Sequence, residues 1–184
     1  MCKILSLELG GNNPSIIFAD CNYDEMLEAT VRSSFANQGQ ICLCGSRIFI
    51  EASIYQKFKT DFITAVSKLK VGNPFDSTSD LGALVSKPHL EKVRSYIDNA
   101  AQYGGKVIFG GNSVSIHNFE SGYYLEPTII EVKDNSCVLN QVEIFGPVVT
   151  IMPFNNENEV LAMANDSSYG LSATLWTNDL KKTM

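Results

Sequence analysis

This sequence predicts an α/β fold, a mainly parallel sheet flanked by helices. Short apolar runs bounded by turn residues alternate with longer segments whose apolar residues recur at helical spacing. The chain has 184 residues, 45% of them hydrophobic and 18% charged. That is enough for one ordinary domain with a sizeable core and a globular composition.

The elements follow in order. Ser15-Ile16-Ile17-Phe18-Ala19, between Pro14 and Asp20, reads as a buried strand. Asn22 stands before Glu25 at capping-box spacing, and Met26, Leu27, Thr30, Val31 and Phe35 recur at helical spacing, which predicts a helix over about 23–36. It feeds the polar stretch Asn37-Gln38-Gly39-Gln40-Ile41-Cys42-Leu43-Cys44, and Arg47-Ile48-Phe49-Ile50-Glu51 behind it is strand-like. A second helix starts near Ser53, with Tyr55, Phe58, Phe62, Val66 and Leu69 as its buried stripe. Turn residues make Gly72 to Asp80 a loop. Ser86-Lys87-Pro88 opens a third helix, where the missing N–H of Pro88 costs little. Leu90, Val93, Tyr96, Ile97 and Ala100 form its inner face, and Gly104-Gly105 ends it. Lys106 to Phe109 is a strand, and Gly110 to Gly122 is a surface loop. Tyr123 to Val132 reads as strand, with Pro127 marking an edge or a bend. Pro147 to Phe154 is another strand, Asn156 to Asn165 a short helix with Val160, Leu161 and Ala164 inward, and Gly170 to Thr177 a last strand.

Composition narrows the function. The formal net charge of -6 argues against a nucleic-acid surface, which needs clustered Lys and Arg. No apolar run approaches the ~20 residues of a membrane span, so no membrane partner is expected. Met1 to Glu8 lacks the signal-peptide pattern, because its apolar part is short and Glu8 interrupts it. Five cysteines, an odd number at scaffold-poor density, point to a reducing, cytoplasmic compartment. His89 and His117 show no ligand pattern and read as surface residues. Cys42-Leu43-Cys44 alone is a poor zinc signal, since a tetrahedral site needs further ligands, and no metal is expected.

The chemistry centres on Cys42 and Glu8. A thiol delivered by a glycine-containing turn is exposed to substrate yet rigidly held, and donors around it favour the thiolate. Its backbone N–H is placed to steady a developing oxyanion. A carboxylate in Leu7-Glu8-Leu9-Gly10-Gly11 supplies a proton acceptor, and partial burial between Leu7 and Leu9 would raise its pKa toward a useful range. Taken alone, Cys42 reads first as a small buried core cysteine, the usual fate of a lone Cys, and Glu8 first as a surface carboxylate at a strand end. Cys44, two residues on, would share a face with Cys42 in an extended stretch. Gly10 and Gly11 permit a close backbone approach to a cofactor, or a sharp turn.

Three motifs carry a resemblance: Glu8-Leu9-Gly10-Gly11, the Asn37 to Cys42 run with Gly45-Ser46-Arg47 behind it, and Glu143-Ile144-Phe145-Gly146-Pro147. Together they resemble the signatures of the NAD(P)-dependent aldehyde dehydrogenase superfamily, in the family's order and at close to its spacing. The resemblance spans essentially the whole chain. Arg32 to Asn37 and His89 to Tyr96 are most similar to the 2-aminomuconic semialdehyde dehydrogenase branch. The resemblance implies Cys42 as nucleophile and Glu8 as the base that activates the hydrolytic water. It implies Glu143 as the cofactor-ribose carboxylate, Phe145 lining the nicotinamide side and Leu9 as a further cofactor contact. NAD is the implied cofactor, with NADP open, a small aldehyde the substrate, and a homo-oligomer the full-length form. The family often has Lys where Asn12 stands and Glu where Val142 stands; both departures alter local electrostatics without removing a reacting group.

Relative to the family, residues 1–184 are expected to be an aldehyde dehydrogenase catalytic domain incomplete at both ends. The resemblance implies a preceding dinucleotide-binding domain, with a glycine-rich turn and an oxyanion-hole Asn, and a following oligomerisation segment. No Gly-x-Gly-x-x-Gly pattern occurs here. Losing one oxyanion donor costs ~10²–10³ in rate, so negligible dehydrogenase activity is expected of the chain alone. Two other functions stay open: a non-catalytic truncated paralogue acting in assembly or binding, and a thiol esterase using Cys42 and Glu8 without nicotinamide.

Overall fold

A computed structural model describes residues 3–183. Met1 and Cys2, the start of the segment read above as no signal peptide, lie outside the described residues, as does Met184. In chain order the elements are β1 (Asn13–Ile17), α1 (Tyr23–Phe35), β2 (Gly45–Glu51), α2 (Tyr55–Val66), α3 (Lys87–Asp98), β3 (Gly105–Phe109), β4 (Ser113–Val114), β5 (Tyr124–Leu125), β6 (Thr128–Val132), α4 (Val138–Gln141), β7 (Val148–Phe154), α5 (Glu157–Asn165) and β8 (Thr174–Trp176). Six strands form one sheet in the order β3-β6-β7-β2-β1-β8. Every neighbouring pair is parallel except β3–β6, at one edge.

Both faces of the sheet are covered, which is why its central strands read as nearly continuous apolar runs. Side chains alternate along each strand with period two. Ile17, Ile48, Ile50, Ile129 and Ile151 meet α1 and α2 through Met26, Phe35, Phe58, Phe62 and Val66. The rings of Phe35 and Phe58 stack on Phe62 at centroid distances of 6.2 and 5.0 Å. Their opposite-facing neighbours Ile130, Val132 and Val148 meet Val93 and Ile97 of α3 and Leu139 of α4. Ile16, Phe49 and Phe154 meet Val160 of α5.

Several local expectations change. The Asn22–Glu25 pair makes no capping box: Asn22 Nδ2 donates to Glu25 Oε2 at 2.9 Å, and the Asn22 side chain caps no helix N–H. The two exposed side chains satisfy one another instead. Ser86 and Asn156 do cap, accepting from the backbone N–H of His89 and Glu159. Leu161 faces solvent, 46% exposed, because α5 packs through Val160, Met163 and Ala164, a stripe that turns Leu161 out. The strand expected over Tyr123 to Val132 is broken at Pro127, which has no N–H to give the ladder. Its first part, β5, leaves the main sheet and pairs with β4, a short strand inside the expected loop.

Candidate active site

Each of the three motifs ends where a strand begins. Gly10-Gly11 leads into β1, Cys42 to Cys44 into β2, and Glu143 to Pro147 into β7. Since β7, β2 and β1 lie side by side and parallel, segments remote in sequence meet at the amino ends of these strands. There they form a cleft of about 660 Å³, lined by Glu8, Leu9, Cys42, Glu143 and Phe145, with His89 and Lys92 of α3 on its wall. All five residues singled out from the sequence are brought to it.

The Cys42 turn is built on unusual backbone. After α1, Asn37 (φ 50°, ψ 40°), Gln38 (φ 58°, ψ 29°) and Gly39 (φ 68°) are all left-handed. For an L-residue this costs roughly 1–2 kcal/mol, so two non-glycine residues here store strain that the surroundings must hold. Asn37 Nδ2 donates to Gln40 O at 3.1 Å, and Gln40 Oε1 accepts from Val85 N at 3.1 Å. Gly39 lies against the Gly146 carbonyl, where any Cβ would collide. The chain then closes a turn, Cys44 N donating to Ile41 O at 3.0 Å.

That turn overturns the expectation that Cys42 and Cys44 share a face. Cys42 is half-buried and lines the cleft. Cys44, 8% exposed, points into a small interior cavity behind it. Burial pushes the Cys44 thiol up, outweighing its bond with the Ile41 backbone, and the neighbouring Cys42 adds to the rise. Both the raised pKa and the burial make Cys44 a poor nucleophile at neutral pH.

Glu143 is held at three points. Its Oε1 accepts from Gly11 N at 2.9 Å, its carbonyl from Lys92 Nζ at 3.3 Å, and its N–H donates to Tyr169 Oη at 3.4 Å. The glycine pair allows close packing within the site: a Cβ on Gly10 would strike the Glu143 carboxylate, and one on Gly11 the Cys42 carbonyl. Phe145 is left-handed (φ 61°), and its carbonyl accepts from His89 Nε2 at 2.6 Å. His89 is therefore a half-buried residue of the cleft wall, not the surface residue expected; nothing in its spacing signals this. His117 is 90% exposed in its side chain.

Glu8 departs from expectation. It lies on an extended segment without regular structure, and both Leu7 and Leu9 are exposed, so the flanking burial anticipated for it is absent. Beneath the cleft the scaffold is polar and largely hydrogen-bonded, although Asn140 Oδ1 has no partner among the described residues. Asn12, standing where the family often has Lys, is buried; its Nδ2 donates to Asn140 O at 2.8 Å and its Oδ1 accepts from Ser46 Oγ at 2.8 Å. Arg47, 1% exposed, donates from Nε to Asn12 O at 2.8 Å and from its two Nη atoms to Met163 O and Ala164 O. The last two carbonyls end α5, the negative pole of its dipole. Burial pushes the Arg47 pKa down, and Asp166 opposes that shift.

A thiol, two carboxylates and an aromatic ring around one cleft define a candidate covalent-catalysis site on a parallel α/β sheet. The chain belongs to the aldehyde dehydrogenase family, whose family model matches residues 1–184. It is 52% identical over 184 residues to the 2-aminomuconic semialdehyde dehydrogenase of Homo sapiens, covering 97% of this chain and 37% of that protein. It is 38% identical over 181 residues to the 2-aminomuconic 6-semialdehyde dehydrogenase of Pseudomonas sp, covering 98% of this chain and 37% of that protein. Its fold matches the crystal structure of betaine aldehyde dehydrogenase from Staphylococcus aureus in complex with NAD+ at a TM-score of 0.91 and 38% identity, over 95% of this chain and 35% of that one. The chain thus spans little more than a third of the length of these relatives.

Proposed function

We propose that this chain carries the thiol chemistry of an NAD(P)-dependent aldehyde oxidation. The observation that carries the reading is the convergence of Cys42, Glu8, Glu143 and Phe145 on one cleft. Cys42 Sγ attacks the aldehyde carbon, and its backbone N–H donates to the developing oxyanion. The carbon stays bonded to sulfur, first as a thiohemiacetal and then, two electrons poorer, as a thioester. Glu8 takes a proton from the water that hydrolyses the thioester, releasing a carboxylic acid and the free thiol.

The residues present fit a nicotinamide dinucleotide. Glu143 spends one acceptor site on Gly11 and keeps others for a ribose diol, beside the Phe145 ring and Leu9. When bound, that cofactor supplies the hydride acceptor. NAD is the assigned cofactor, NADP remaining open. The names of the relatives support a semialdehyde with a distal carboxylate as substrate. On this reading residues 1–184 are part of a catalytic domain. The cofactor-binding domain and oligomerisation segment lie outside this sequence, and the full-length protein is a cytoplasmic homo-oligomer. Among the described residues no helix is long and apolar enough to cross a membrane. The chain by itself reduces NAD+ negligibly.

The test uses an activated ester, p-nitrophenyl acetate, and intact-protein mass spectrometry. An acetyl adduct forms on Cys42, is lost in Cys42→Ala, and in Glu8→Gln forms normally but decays several-fold more slowly. An adduct on the Cys42→Ala protein, or equal decay in Glu8→Gln, refutes the assignment.

A further inference from the structure

Two thiols stand two positions apart in the reactive turn, and only one faces the cleft. The group that holds this arrangement is Asn13, the first residue of β1, 3% exposed. Its Nδ2 donates to the Cys42 carbonyl at 2.7 Å and to the Cys44 carbonyl at 2.9 Å. Its Oδ1 accepts from the Ser172 N–H at 3.1 Å, in the segment leading to β8. All three bonds are long-range. The register of β1 against β2 slips between Asn13 and Pro14, and this irregularity lies just where Asn13 meets the turn. Gly11 completes the seat, since a Cβ there would collide with both the Cys42 carbonyl and the Asn13 carboxamide.

A carboxamide is suited to this task in a way its isosteres are not. Its two N–H groups satisfy two carbonyls that both point at it, while its oxygen takes a third bond that fixes which end is which. Aspartate has the same shape but would set a carboxylate against two carbonyl oxygens. Pinning the carbonyls of residues 42 and 44 pins the peptide plane that follows each cysteine, 42–43 and 44–45, and so constrains which sulfur rolls outward.

We propose that Asn13 is the positioning residue that selects Cys42 over Cys44 as the reacting thiol, by clamping the carbonyls of both. This rests on the reading of Cys42 as nucleophile. Loss of the clamp lets the turn roll, exposing Cys44 at the expense of Cys42. Cys21 and Cys137, half-buried thiols elsewhere in the chain, report any general loosening.

The test is competitive alkylation of the 184-residue protein with iodoacetamide, quantified for each cysteine by peptide mass spectrometry, in the parent and in Asn13→Asp and Asn13→Ala. In the parent, Cys42 outpaces Cys44 by at least tenfold. In both variants that ratio falls about tenfold, while the Cys21 to Cys137 ratio and both absolute rates stay within twofold. A parallel measurement uses protein labelled with ¹³C at the cysteine carbonyl. In Asn13→Ala the Cys42 and Cys44 carbonyl resonances move upfield together, and those of Cys21 and Cys137 do not. An unchanged Cys42 to Cys44 ratio with unmoved carbonyl resonances overturns the clamp alone. A parent protein in which Cys42 is no faster than Cys44 overturns the nucleophile assignment and the clamp with it. If Cys21, Cys42, Cys44 and Cys137 accelerate alike, Asn13 serves global stability only and the selection role is refuted.

Discussion

The two groups assigned to react are carried by regions of opposite character. Cys42 sits on a turn that is locked from every side. Asn13 holds its carbonyl, Gly11 underlies it, and Gly39 is pressed on Gly146. Glu8 rides on an extended arm whose Leu5, Leu7 and Leu9 are exposed. One lesson is that the two roles proposed for them, nucleophile and base, need different supports. The attacking atom must be aimed, which rigid local strain achieves. A carboxylate that activates water needs only to reach it, and an arm outside the packed sheet leaves its placement to whatever covers the exposed leucines.

Substitutions can break this contrast, and the largest effect belongs to the turn. Gly39→Val sets a β-branched residue at φ 68° against the Gly146 carbonyl and is expected to cost about 4 kcal/mol in urea unfolding. Retained stability would mean the turn is not locked. Arg47→Leu strands the carbonyls of Asn12, Met163 and Ala164 and is expected to cost about 2–3 kcal/mol by the same measurement.

A smaller effect depends on pH and comes from the sheet's helical flank, remote from both regions. Burial works against ionised Glu131, yet its bonds from Lys59 Nζ at 2.6 Å and Tyr55 Oη at 2.7 Å outweigh this and hold its pKa below the ordinary carboxylate value. With the folded pKa depressed, the unfolded chain takes up the proton first as pH falls. The stability is therefore complete above the unfolded pKa of about 4.3 and is lost as pH drops through the lower folded value. Glu131→Gln should remove about 1 kcal/mol at pH 7 and flatten that part of the acid limb, read from urea midpoints between neutral and acid pH. The smallest effect sharpens the contrast directly. Leu7→Ser and Glu8→Gln are each expected to change stability by no more than about 0.5 kcal/mol, because both side chains are exposed. A loss well above that would show the arm to be part of the fold.

Much of the architecture was legible beforehand. Apolar periodicity located α1, α2 and α3 to within a residue or two of their starts, and short apolar runs located β2 and β7. What escaped depends on contacts distant in sequence. Leu161 matches the helical stripe, but the partner surface of Phe49 and Phe154 selects Val160 and Met163 instead. His89 looked like any polar residue in a first helical turn until Phe145 brought its carbonyl within reach. The apparent capping box dissolved because both side chains are in water, where they can equally bond one another.

The amino-acid order alone determined the alternation of strands and helices, which is written in local spacing and residue type, and its three motifs carried the resemblance that pointed to the family and to Cys42, Glu8, Leu9, Glu143 and Phe145. Which sulfur faces outward, what the paired glycines approach and how firmly each reacting group is held were decided only in three dimensions. Those features arise where three neighbouring parallel strands bring their preceding loops together, and no stretch of chain contains the partners that such a meeting supplies.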